Sequence, residues 1–147
     1  MLAYDPSTNP LNNNEWAFPL MEIIHIVGFA FSIGTIAIVD LRMLGLALPK
    51  QSPSQLLKDT APWTLIGIAI MLMSGPIIFS SDPVMYLENG SFQFKMYALA
   101  AAIIYNYTIH RKVAMSDAAS GMSKAVAVVS LVLWTSVVFA GLFIAFV

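Results

Sequence analysis

Two stretches of this chain carry no formal charge for long enough to cross a lipid bilayer. Ala61–Ser81 runs for 21 residues and Ala125–Val147 for 23, against the roughly 20 mainly apolar residues a membrane helix needs. In hydrocarbon, backbone N–H and C=O groups find no water, so such runs must be helical. Two further runs are shorter. Ile26–Val39 and Met96–Ile109 each hold 14 uncharged residues, fenced by His25 and Asp40 and by Lys95 and His110. Fourteen residues rise only about 21 Å, short of the ~30 Å hydrocarbon core. To span, each must carry its polar flanks to membrane depth. The expectation is an all-α transmembrane four-helix bundle, its helices at about 18–44, 61–81, 92–111 and 124–147.

Composition agrees with a membrane-embedded chain. Charged residues make up 10% of the 147, well under the roughly 25% of a soluble domain. Seven basic and eight acidic side chains nearly cancel, which excludes the positive field that holds nucleic acid. With no cysteine, the chain has no disulfide framework, thiolate metal cage or cysteine nucleophile. Residues 1–15 are rich in Asn, Pro and Ser and lack the basic start of a signal peptide, so they read as a short outer arm.

Orientation follows from the basic residues. Arg42, Lys50, Lys58, Arg111, Lys112 and Lys124 fall in the first and third connections, and only Lys95 on the other side. The positive-inside rule then puts both termini outside, in the periplasm or extracellular space of a bacterial inner membrane. Trp16, Phe18, Tyr86, Phe92 and Tyr97 suit an outer aromatic belt, and Trp63, Tyr105 and Tyr107 an inner one. Asp59–Pro62 reads as the start of the second helix, with Thr60 as its cap.

The first and third helices hold most of the ionisable groups. His25 and Asp40 are 15 residues apart, as are Lys95 and His110, so each pair spans about 22 Å of helix. Helices one and three run the same way. An outer layer of Glu22, His25 and Lys95 is therefore expected, with an inner layer of Asp40, Arg42, Asn106 and His110. Glu22 and His25 stand at i,i+3, close enough to touch. Lys95, Leu99, Ala102, Asn106 and His110 form one helical stripe. Ionisable groups at membrane depth are costly and usually face a bundle interior.

The run Glu22-Ile-Ile-His25-Ile-Val-Gly28, Gly34 and Asp40-Leu41-Arg42-Met-Leu44-Gly45 resembles a bacterial membrane family of unknown function. Pro62-Trp63, Gly75, Phe79, Asp82-Pro83, Phe94-Lys95, Asn106 and His110 extend the resemblance. More distantly, a histidine on helix one and a lysine opening helix three are similar to copper-resistance D and HemJ-type membrane proteins. That second resemblance implies haem b.

Three functions compete. In the first, haem b or a redox metal sits near the outer face for electron transfer or ligand sensing. His25 would be the metal ligand, with the sixth position open or filled by Met71 or Met73, Glu22 a further donor, Lys95 a partner for a propionate, and Trp134 a flat packing surface. His25 and His110 lie some 20 Å apart along the axis and cannot share one iron. In the second, the chain is a structural or accessory subunit of a larger membrane complex or a homo-oligomer. Its polar layers are then internal clamps, Glu22 with Lys95 and Asp40 with His110. In the third, protons or a small solute pass between the layers, but only Ser32, Thr35 and Tyr105 bridge them. No hydrolase triad, phosphate loop or His-Glu-x-x-His zinc motif supports catalysis.

Overall fold

The computed structural model describes residues 4–117 and 120–146. Six α-helices carry the chain: α1 (Ala17–Met43), α2 (Pro53–Phe79), α3 (Pro83–Glu88), α4 (Gly90–Tyr105), α5 (Arg111–Met115) and α6 (Ser120–Phe143). A π-helical turn, Asn106–His110, joins α4 to α5 without a break, and a 3-10 turn, Ile144–Phe146, extends α6. Three helical segments are long and apolar enough to cross a membrane: Ala17–Met43, Pro53–Phe79 and Ser120–Phe146.

Local chemistry sets the ends. α1 stops in a Schellman turn, where Gly45 takes φ +81°. There the Gly45 N–H donates to the Arg42 carbonyl (3.0 Å) and the Leu46 N–H to the Leu41 carbonyl (2.9 Å). The second long helix begins eight residues before the expected start at 61. The Ser52 hydroxyl accepts from the Gln55 N–H at 3.2 Å and Pro53 fills the first turn. Pro62 is thus interior to α2, and Thr60 donates back to the Leu56 carbonyl instead of capping. The short helix α3 was not expected. Asp82 caps it by accepting from the Met85 N–H at 3.1 Å, and Asn89 then caps α4 by accepting from Phe92 at 2.9 Å.

α1 and α2 are antiparallel and pack closely. A Cβ on Gly67 would stand 2.5 Å from both the Gly28 carbonyl oxygen and the Ser32 nitrogen. Only glycine lets the two backbones meet there. Gly34, by contrast, faces open space. α4 packs antiparallel on α6, and α6 also packs on α1. α1 and α4 are therefore diagonal partners, not flank-to-flank neighbours. They meet through side chains in a central cluster of Ile36, Ala98, Ala102, Trp134 and Val137.

The two ends are tied separately. At one, the Tyr4 hydroxyl and the Asn9 amide donate to the Ser80 carbonyl, and the Asn12 amide to that of Ser81 (2.9 Å). At the other, the Ser54 hydroxyl donates to Asp117 Oδ2 at 2.9 Å. The aromatic residues divide differently from the belts expected. Trp16 and Tyr97 are exposed, but Tyr86 is buried and packs with Phe79 and Phe92. The α2–α3 turn folds Tyr86 inward against the end of α2.

Candidate functional site

Asp40 is the last polar residue but one on α1, and its side chain is fully enclosed. His110 ends the π-helical turn, equally enclosed, with Nε2 2.6 Å from Asp40 Oδ1. Ser130, from the middle of α6, donates its hydroxyl to Asp40 Oδ2 at 2.7 Å. Both carboxyl oxygens are thereby engaged, and three helical runs are tied at one point. Because Oδ2 accepts from Ser130, the proton shared with imidazole lies on the Oδ1–Nε2 line. Satisfying a buried carboxyl on both oxygens is what makes its burial tolerable.

The π-helical turn helps place this cluster. Such turns are rare and often accompany functional positions. Here Asn106 and His110, its first and last residues, are both buried. The stripe of Lys95, Leu99, Ala102, Asn106 and His110 faces inward throughout, from half-buried Lys95 to enclosed His110. Arg42 does not join the inner layer. Its Nε donates to the Gln51 carbonyl, which draws the side chain into the loop after α1.

The outer layer does not assemble as expected. His25 Nδ1 is 2.8 Å from the Ser74 hydroxyl, whose own proton goes to the Ile70 carbonyl at 2.7 Å. The His25 N–H at Nδ1 therefore donates to Ser74, leaving Nε2 the free nitrogen. Its ring packs over Gly75, where a Cβ would meet Cε1 at 3.5 Å. Glu22 is exposed and makes no hydrogen bond or ion pair among the described residues, although it stands one turn before His25. Lys95 stays within electrostatic reach of His25, yet its ammonium lies over Gly141 of α6, 3.4 Å from where a Cβ would be. The Glu22–Lys95 clamp is absent among the described residues.

These positions also test a haem or metal at His25. Met73 is 72% exposed and faces away from the bundle. Met71 is buried, but its sulfur is 4.0 Å from the Ser32 hydroxyl. Ser32 lies seven residues beyond His25, about 10 Å further along α1, too far for both groups to ligate one iron. Trp134 is 2% exposed and wedged among Ile36, Ala98, Ala102 and Val137, so its faces are already covered. No group of three or more His, Asp or Glu converges among the described residues. Met71, Met73 and Trp134 are thus not placed to serve as partners of an iron at His25.

Ser74 and Ser130 are the hydrogen-bond partners of His25 and Asp40 that the sequence did not single out. Helix four reads as uniformly apolar, yet its buried positions Ser123, Val126, Ala127, Ser130, Trp134, Val137 and Ala140 follow a helical period. A hydroxyl on that stripe was the available signal.

A model of a family of unknown function, DUF6644, matches residues 18–147. The chain belongs to this family. No curated protein and no solved structure matches it. For this DUF6644 member the enclosed Asp40–His110–Ser130 cluster is thus the best-built polar site in the described residues. It joins α1, the π-helical turn and α6 through two short hydrogen bonds to one carboxyl group.

Proposed function

We propose that this protein is a four-span membrane protein that serves as an accessory subunit of a larger membrane complex. The fourth span is the continuous run α4, π-helical turn and α5. Its 26 residues rise about 39 Å, enough for the hydrocarbon core. The weight of basic residues in the first and third connections supports both termini outside a bacterial inner membrane. The Asp40–His110–Ser130 cluster acts as the internal clamp that holds this bundle in one arrangement.

The observation that carries the subunit reading lies between α4 and α6. A groove of about 630 Å³ opens there on the outer surface, lined among others by Ser91, Phe94, Thr135, Ser136 and Phe139. Thr60, Ser74, Thr108 and Ser136 each donate to a carbonyl one turn back in their own helix, and Thr35 and Thr64 meet each other at 2.7 Å. Thr135 does neither. It is exposed near the middle of α6, and its hydroxyl makes no hydrogen bond among the described residues. At membrane depth an unsatisfied hydroxyl is costly, and a hydroxyl beside small residues in a groove suits a neighbouring helix that offers a carbonyl. The occupant is a transmembrane helix of a different polypeptide.

The chain has no cysteine, so single-cysteine variants report one position each. Thr135→Cys in native membranes should cross-link to a second polypeptide, whereas Ile26→Cys, exposed on α1 and outside the groove, should not. No adduct at position 135, or only an adduct of twice the chain's own mass, would overturn the accessory-subunit reading.

A further inference from the structure

The inner cluster leaves two buried polar atoms without partners. His110 Nδ1 and Asn106 Oδ1 are both shielded from solvent and unbonded. Buried polar atoms in folded proteins nearly always have a partner, protein or water. A cavity of about 20 Å³ touches both residues and is lined also by Thr35, Thr60, Thr64 and Arg111. One water needs ~10–15 Å³ of such space and two or more polar partners. The chemistry of the orphans fits the same guest. When His110 carries its proton on Nε2 toward Asp40, Nδ1 is a lone-pair acceptor, and so is Asn106 Oδ1. Two acceptors facing one small cavity call for a molecule with two O–H donors.

We propose that this cavity is a water-binding site in which one water donates to His110 Nδ1 and to Asn106 Oδ1. The Thr60 hydroxyl already donates to the Leu56 carbonyl, and the Thr64 hydroxyl is paired with that of Thr35 at 2.7 Å, so both of these cavity-lining groups are engaged. The bound water joins the Asp40–His110 pair to the end of the bundle where Arg111 is exposed. The charged and titratable groups around the pair are Arg111, Tyr105 and Tyr107, while α2 and α6 contribute hydroxyls. Proton exchange then runs by a balanced step. Water gives a proton to Nδ1 and is reprotonated from bulk, while the Nε2 proton passes to Asp40 Oδ1. The pair gains one proton and no other bond changes. This site stands apart from the α4–α6 groove, so either reading can fail alone.

The chain has two histidines, which makes nitrogen-15 histidine labelling decisive. Full-length protein in lipid bilayers is measured by solid-state NMR with magnetisation transferred from water, and His25→Gln assigns the two rings. His110 Nδ1 should receive a water signal while the Nε2 proton stays bonded to Asp40. After transfer to deuterated water, the Nε2 proton should exchange roughly tenfold or more slowly in Asn106→Val than in the wild type. The Nε2 signal itself shows whether that variant keeps the fold. A wild-type His110 Nδ1 that receives no water signal would overturn the site, and so would a water signal undiminished in a folded Asn106→Val.

Discussion

His110 Nε2 lies 2.6 Å from Asp40 Oδ1, although 70 residues separate them and their helices are diagonal in the bundle. The bond closes the bundle across its centre, because α1 and α4 do not pack backbone to backbone. Ser130 fixes the carboxyl from the third side at 2.7 Å.

Removing one member of this pair strands the other in a buried site without its partner. Asp40→Leu should therefore destabilise the protein by about 3–5 kcal/mol, the usual cost of breaking a buried pair. Replacing Asp40 and His110 together by leucine should cost clearly less than the sum of the single changes. Equilibrium unfolding in detergent micelles, run as a double-mutant cycle, checks both.

Ser130→Ala removes one hydrogen bond to the carboxyl while the imidazole contact stays. The expected loss is about 1.5–3 kcal/mol, the range for a bond to a charged or proton-sharing acceptor. Ser136→Ala, whose hydroxyl donates to the Val132 carbonyl of its own helix at 2.7 Å, should change stability by less. The same unfolding measurement on the two variants decides it.

The α1–α2 contact gives a paired test of packing. A Cβ on Gly67 would stand 2.5 Å from backbone atoms of α1, whereas one on Gly34 meets nothing within 4 Å. Gly67→Ala should cost about 1–3 kcal/mol through overpacking. Gly34→Ala should stay within about 0.5 kcal/mol of the parent. Thermal melts of the two variants side by side expose the difference.

Topology is open to direct chemical labelling. Asn14→Cys should react with a membrane-impermeant thiol reagent added to intact cells, and Lys50→Cys only after the membrane is opened. Since the parent chain lacks cysteine, labelling of Lys50→Cys in intact cells would reverse the orientation.

What could be read without a structure followed from solvation alone. Uncharged runs such as Ala61–Ser81 and Ala125–Val147 dictate helices in a membrane, because no other open backbone form satisfies its own polar groups there. The inward stripe from Lys95 to His110 was legible for the same reason, since helical spacing fixes which residues share a face. Helix ends were less legible: Ser52 with Pro53 outcompetes Asp59–Pro62 as a start, and both look alike as local signals.

The candidate site lay beyond local pattern. Glu22 and His25 share a helix turn, yet Glu22 stays exposed while His25 finds Ser74 on α2. Met71 and Met73 are two positions apart, and rotation about the helix buries the first and exposes the second. Spacing along one helix determined which groups could be neighbours in depth. Which of them touch was decided by the azimuth of each helix and by the glycine-permitted approach of α1 to α2. Those quantities depend on all the helices packing at once, so only the tertiary structure could deliver Ser130 to the second oxygen of Asp40.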